Sequence, residues 1–196
     1  VVDKADPAFQ KPTKPVGPFY SKAEAMGLVR EQGWTVEEDA GRGFRRVVPS
    51  PRPLDIVEYQ EIKQLVGLGT VVIAVGGGGI PVVREKGALR GIAAVIDKDR
   101  ASSLLASRIG ARLLVISTQV ERVYLDCDRP DLKPLSTLTR SRAREYLRAG
   151  QFPPGSMGPK IEAAIDFLER GGERVVITSP ANIVRAVQGG AGTTVV

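Results

Sequence analysis

Gly155-Ser156-Met157-Gly158-Pro159-Lys160 runs straight into Ile161-Glu162-Ala163-Ala164-Ile165-Asp166-Phe167-Leu168-Glu169, and the chain soon continues as Arg174-Val175-Val176-Ile177-Thr178. A glycine-punctuated loop leads into an amphipathic helix, and the helix into an apolar run of the kind carried by a strand buried on both faces. Pro159 suits the first helical turn, where its missing N–H leaves no donor unpaired. Lys160 then falls at the positive end of the helix dipole, which favours anions. That placement is resolved if an anion, most commonly phosphate, sits between the lysine and the helix N-terminus. The alternative is a solvated lysine on a first turn.

The same alternation extends upstream and downstream. Residues 55–66 read as a helix with Ile56, Tyr59, Ile62 and Val66 on one face, ended by Gly67 and Gly69. Residues 70–75 read as a buried strand. Residues 82–84 and 93–96 flank a turn at Lys86-Gly87 and predict a hairpin. A helix over 99–109, a strand over 112–116, helices over 138–149 and 181–187, and strands over 174–178 and 193–196 complete the pattern. Helices alternating with buried strands predict an α/β fold: a three-layer αβα sandwich around a mostly parallel sheet, over residues 54–196.

Residues 1–53 read differently, as a small protruding α+β subdomain. Residues 1–20 are proline-rich and predict a loop with fixed turns. Ser21, with Glu24 three residues on, predicts a helix start, and Gly33 its stop. Strands are predicted over 34–38 and 44–48, joined by Gly41-Arg42-Gly43.

Composition narrows the chemistry. The chain has 196 residues, 42% of them hydrophobic, with net charge +6 from 28 basic and 22 acidic residues. The charges are interspersed and aromatics are only 5%, which argues against a nucleic-acid partner. No apolar run is long enough to span a membrane. Cys127 is the single cysteine, so no internal disulfide forms, and a reducing, cytoplasmic setting is expected. Histidine is absent, which excludes Ser-His-Asp and Cys-His machinery and histidine metal sites. Catalysis is left to Lys, Arg, Asp, Glu, Ser, Thr or backbone groups.

In such sheets the loops leaving the strand ends carry function. Gly76-Gly77-Gly78-Gly79 can present a row of backbone N–H groups to charged oxygens, or be a flexible turn. Asp97-Lys98-Asp99 places three charges before a helix, with an N-cap as the alternative role of Asp99. Ser117-Thr118, with Tyr124 beyond, forms a third loop, and Thr178-Ser179-Pro180 reads as a helix cap. There is no G-x-x-x-x-G-K-[ST] and no G-x-G-x-x-G after a strand. Two lysines, an aspartate and glycine-rich loops nonetheless suit phosphoryl transfer, which needs positioning and positive charge more than a covalent nucleophile.

The chain resembles the carbamate kinases, a branch of the amino acid kinase family. The resemblance rests on Asp6-Pro7-Ala8-Phe9, on Pro12-Thr13-Lys14-Pro15-Val16-Gly17-Pro18-Phe19-Tyr20, and on the stretch from Glu38 to Pro51. It continues in Gly76 to Val82, Ala94 to Asp99, Gly155 to Lys160 and Ala191-Gly192-Thr193. It implies reversible phosphoryl transfer between ATP and carbamate, giving ADP and carbamoyl phosphate, with Mg²⁺ accompanying the nucleotide, in a cytoplasmic homodimer of arginine metabolism. By the same resemblance Lys160 binds the β/γ-phosphate bridge, Lys98 contacts the transferring phosphoryl group and Asp99 orients both lysines. Gly76, Gly77, Gly78 and Gly79 face the acceptor, and Lys14 reaches toward the substrate from the lid. Tyr124, Met157, Gly155, Gly158 and Lys160 line the nucleotide pocket. No metal is assigned to protein side chains.

The pattern departs from the family at Gln119, where Asp or Ala usually follows the threonine. The chain also starts where family members are already more than a third complete, so a longer native protein is expected, with these residues as its C-terminal two thirds. Alone they are expected to bind nucleotide weakly without turnover. Other readings are an amino acid kinase acting on a different acid, against which the lid signature argues, and a nucleotide-binding module without turnover.

Overall fold

Ser21 and Glu24 close a capping box at the start of α1 (Lys22–Gln32), and Gly33 ends the helix in a left-handed conformation at φ 65°. Both predicted boundaries are therefore those observed. The computed structural model describes residues 1–39, 41–125, 133–153 and 155–196; Ala40 and Cys127 lie outside the described residues. The chain forms two compact units, residues 1–56 with 76–97, and residues 57–75 with 98–196.

In the first unit α1 accompanies a three-stranded antiparallel sheet of β1 (Lys14–Tyr20), β2 (Val36–Glu38) and β3 (Phe44–Val48), in the order β1-β3-β2. The second half of the predicted proline-rich loop is thus a strand. Its prolines are tolerated because β1 is an edge strand, where a missing N–H breaks no inner ladder. The register slips between Val16 and Tyr20, around Gly17 at φ 73°. Among described residues of this layer only Ala25 and Val47 are buried. Ring contacts take the place of a core: Trp34 meets Tyr20 edge-on, and the Arg46 guanidinium lies 4.5 Å from the Trp34 centroid.

A hairpin of β4 (Val82–Glu85) and β5 (Ala88–Gly91) completes the unit. Lys86 and Gly87, at φ 49° and 80°, make the predicted turn. The second arm is not residues 93–96, because a two-residue turn pairs Glu85 with Ala88 and fixes the register there. Residues 93–96 run outside the ladders, with the Val95 N–H donating to the Pro49 carbonyl at 2.9 Å.

The second unit begins with α2 (Tyr59–Gly67), later than predicted. Asp55 is engaged in the first unit, its carbonyl accepting from the Val1 backbone nitrogen at 2.7 Å. Residues 70–75 form no strand, and Val71 and Ile73 are 92% and 98% exposed. An apolar run becomes a buried strand only beside partner strands, and none is paired with it among the described residues.

The remaining elements are α3 (Lys98–Ile109), β6 (Leu113–Ser117), β7 (Val123–Leu125), β8 (Lys133–Leu135), β9 (Thr137–Leu138), α4 (Arg140–Arg148), α5 (Met157–Glu169), β10 (Arg174–Thr178), α6 (Ile183–Val187) and β11 (Thr193–Val195). The sheet order is β6-β10-β11-β9. β10 runs parallel to β6 and β11 parallel to β9, while β10 and β11 are antiparallel. Alternation along β10 sorts the two faces. Val175 and Ile177 join Ile161, Phe167 and Ile116 on the α5 side. Val176 joins Ala186 of α6, against Leu113 and Val115. Helices therefore cover both faces of an α/β sheet. α3 and α4 pack on α5, and β7 and β8 form a hairpin.

Candidate active site

α5 starts at Met157, so Pro159 and Lys160 lie in its first turn. The loop before it folds tightly under the helix start. The Gly158 N–H donates to the Pro153 carbonyl at 3.0 Å, and a Cβ on Gly158 would press on that carbonyl at 3.2 Å. Lys160 is not a solvated lysine. Its Nζ donates to Asp99 Oδ2 at 2.9 Å, and the two side chains are only 11% and 10% exposed. The anion expected beside Lys160 is here a carboxylate from α3.

Asp99 is not the N-cap of its helix. It is the second residue of α3, and its carboxylate reaches across to α5. The same oxygen lies 3.8 Å from Lys98 Nζ, on a side chain that is 62% exposed. One aspartate thus faces a pinned, buried ammonium and a solvent-facing one. Next to this group Arg100 of α3 pairs with Glu162 of α5 at 2.5 Å, a second link between the helices. Lys98 and Lys160 both stand in first turns, where the dipoles add positive potential. The arrangement can hold a polyanion and stabilise charge developing on it.

The other predicted nucleotide residues belong to the same unit. Gly155 is exposed in the turn before α5 and Gly158 is buried. Met157 is half-buried against the core cluster that Ile161 and Phe167 occupy. Tyr124 stands on β7, half-buried and in register with Pro134.

In the first unit Gly76–Gly78 make a tight 3₁₀ turn. Gly77, Gly78 and Gly79 have φ of 64°, 102° and 86°, conformations open to glycine and costly for other residues. Gly78 is buried, and any Cβ there would overlap the Ile96 carbonyl. The loop is a tight turn with its third glycine wedged against Ile96. Val75, just before it, also has positive φ, 49°, which is strained for a β-branched residue. Lys14 Nζ donates to Asp97 Oδ2 at 2.5 Å. Sequence reading marked the Asp97-Lys98-Asp99 loop but gave Asp97 no separate role, and it missed the Arg100–Glu162 pair. The spacing of two acids around Lys98 was the available signal for Asp97. No group of three His, Cys, Asp or Glu could hold a metal ion among the described residues.

The model of the amino acid kinase family matches residues 17–179. The carbamate kinase of Thermococcus kodakarensis is 52% identical over 196 residues, all of this chain and 62% of its own length. That of Clostridium perfringens is 49% identical over 197 residues, all of this chain and 63% of its own. A solved structure described as carbamate kinase from Giardia lamblia bound to AMP-PNP superposes with a TM-score of 0.85 at 45% identity, over 100% of this chain and 62% of that one. The chain therefore spans somewhat less than two thirds of the length of these relatives.

Proposed function

Because this chain belongs to the amino acid kinase family, we propose that it serves a carbamate kinase, a phosphotransferase acting reversibly between ATP and carbamate to give ADP and carbamoyl phosphate. The observation that carries the reading is the single Asp99 oxygen facing Lys160 at 2.9 Å and Lys98 at 3.8 Å. Similarity to carbamate kinases along the whole chain supports the choice of acceptor.

In this reading Lys160 sits at the β/γ-phosphate bridge and offsets the charge that gathers on the leaving oxygen. Lys98 meets the transferring phosphoryl group. Asp99 fixes both ammonium groups before the nucleotide arrives, so little reorganisation is left for the transition state. Gly155, Met157, Gly158 and Tyr124 line the nucleotide pocket. Gly76 to Gly79 and Lys14 serve the acceptor. Mg²⁺ would accompany the nucleotide and add positive charge at its phosphates. The reading also includes a cytoplasmic homodimer with a place in arginine metabolism.

The test uses protein made from its whole gene. Lys160→Ala should lower kcat for ATP formation from ADP and carbamoyl phosphate by about 10²-fold or more. Lys160→Arg keeps a charge opposite Asp99 and so should keep the melting temperature while still losing turnover. A raised nucleotide KM with unchanged kcat in either variant rejects the assignment.

A further inference from the structure

We propose that Asp97 is a positioning residue for the phosphoryl acceptor, acting by holding the Lys14 ammonium beside the glycine turn. The proposal rests on the functional reading above for the role of Lys14. Its own support lies within the first unit. Lys14 Nζ meets Asp97 Oδ2 at 2.5 Å across 83 residues of sequence, and the Asp97 side chain is only 6% exposed. A carboxylate so buried is costly unless paired, so this is no incidental surface contact of the kind worth little.

The backbone aims the pair. Lys14 lies opposite Val48 in the β1–β3 ladder. The next residue, Pro49, accepts from the Val95 N–H at 2.9 Å, and Asp97 follows two residues later. Between them Ile96 presents the carbonyl against which Gly78 is packed without room for a Cβ. The short segment Ile96–Asp97 therefore touches the glycine turn with one residue and Lys14 with the next.

A lysine has four rotatable bonds, and ordering it costs rotamer freedom. Asp97 meets that cost during folding. An ammonium has three donors, and one contact with Asp97 commits one of them. A held Lys14 is thus ready for an anionic acceptor, which is how pre-set geometry lowers a substrate's KM.

The experiment compares Asp97→Asn, Lys14→Ala and the double variant in protein made from its whole gene. Asp97→Asn should raise KM for carbamoyl phosphate about 10-fold, the scale of one charged hydrogen bond, and leave KM for ADP unchanged. The double variant should be no worse than Lys14→Ala alone, because the acid acts through the lysine. Additive losses, or an equal rise in both KM values, overturn the proposal. Asp97→Glu keeps the buried charge but displaces the ammonium. It should melt like wild type and still raise KM for carbamoyl phosphate, and an unchanged KM overturns the proposal even if Asp97→Asn does not fold.

A readout independent of turnover is amine acylation followed by mass spectrometry. Lys14 should label several-fold faster in Asp97→Asn or Asp97→Glu than in wild type, while Lys11 labels at the same rate. An unchanged Lys14 rate overturns the proposal. If wild-type protein makes no ATP from carbamoyl phosphate, the functional reading falls and the labelling result decides on Asp97 by itself.

Discussion

Asp99 faces two lysines with one carboxylate oxygen, and the proposed function gives that carboxylate a part in the chemistry as well as in stability. As a helix cap it would tolerate asparagine, which caps equally well. As the partner of a buried lysine it does not, since removing one member of such a pair leaves the other uncompensated. Asp99→Asn should therefore lower stability by about 3–5 kcal/mol as well as turnover, and urea unfolding monitored by circular dichroism checks the first effect. An unfolding midpoint equal to wild type would show that the Asp99–Lys160 pair adds no net stability. Gly77 and Gly78 make a second comparison. Gly77 has φ 64° and open space around a would-be Cβ, whereas Gly78 has φ 102° and the Ile96 carbonyl in the way. Gly77→Ala should cost about 1–2 kcal/mol, the left-handed penalty, and Gly78→Ala clearly more; thermal melts of the two variants rank them.

Elements whose ends are set by neighbouring residues were legible in the sequence. α1 was readable to its last residue because Ser21, Glu24 and Gly33 act within a few positions of one another. β3, β10 and the Lys86-Gly87 turn were legible for the same reason. β1 was not, because prolines forbid a strand only in a sheet interior, and edge position is decided by partners far along the chain. Residues 70–75 misled in the opposite sense, since apolar character invites burial without supplying a neighbour. The site divided likewise. Lys160, Lys98, Asp99 and Asp97 were marked by loop position and charge, while the partner of Asp97, Lys14, lies 83 residues away, and that pairing was not legible. The layer of α1 and β1–β3 has almost no core, so its caps weigh more. Ser21→Ala should remove about 1 kcal/mol and raise amide exchange along α1 first, with α5 unchanged; equal protection of α1 in both proteins would contradict this.

Across the whole molecule, acid acts on three carboxylates held below their ordinary range. The Ser21 hydroxyl hydrogen-bonds Glu24, Arg42 pairs with Asp39, and Arg112 pairs with Glu173. Each stays ionised in the folded chain at a pH where the unfolded chain binds a proton. Their stabilisation is complete above the ordinary values of 4.5 for glutamate and 3.8 for aspartate, and is lost as pH falls through the lower folded values. The urea midpoint should decline on acidification below that range, and Glu173→Gln should flatten part of the decline. The exposed Val71 and Ile73 add a second property of the whole. An unpaired apolar segment promotes association, so the 196-residue chain should self-associate in light scattering, and Ile73→Lys should reduce this without lowering the melting temperature. The sheet order β6-β10-β11-β9 has a consequence for synthesis. β11, formed by Thr193–Val195, lies inside the sheet between β10 and β9, so a strand translated after both of its neighbours must be inserted between them. Residue 97, the last of the first unit, emerges from the ribosome before α3 does. The second unit must wait, partly open, until β11 is free, and that interval is when a nascent chain would most need a chaperone.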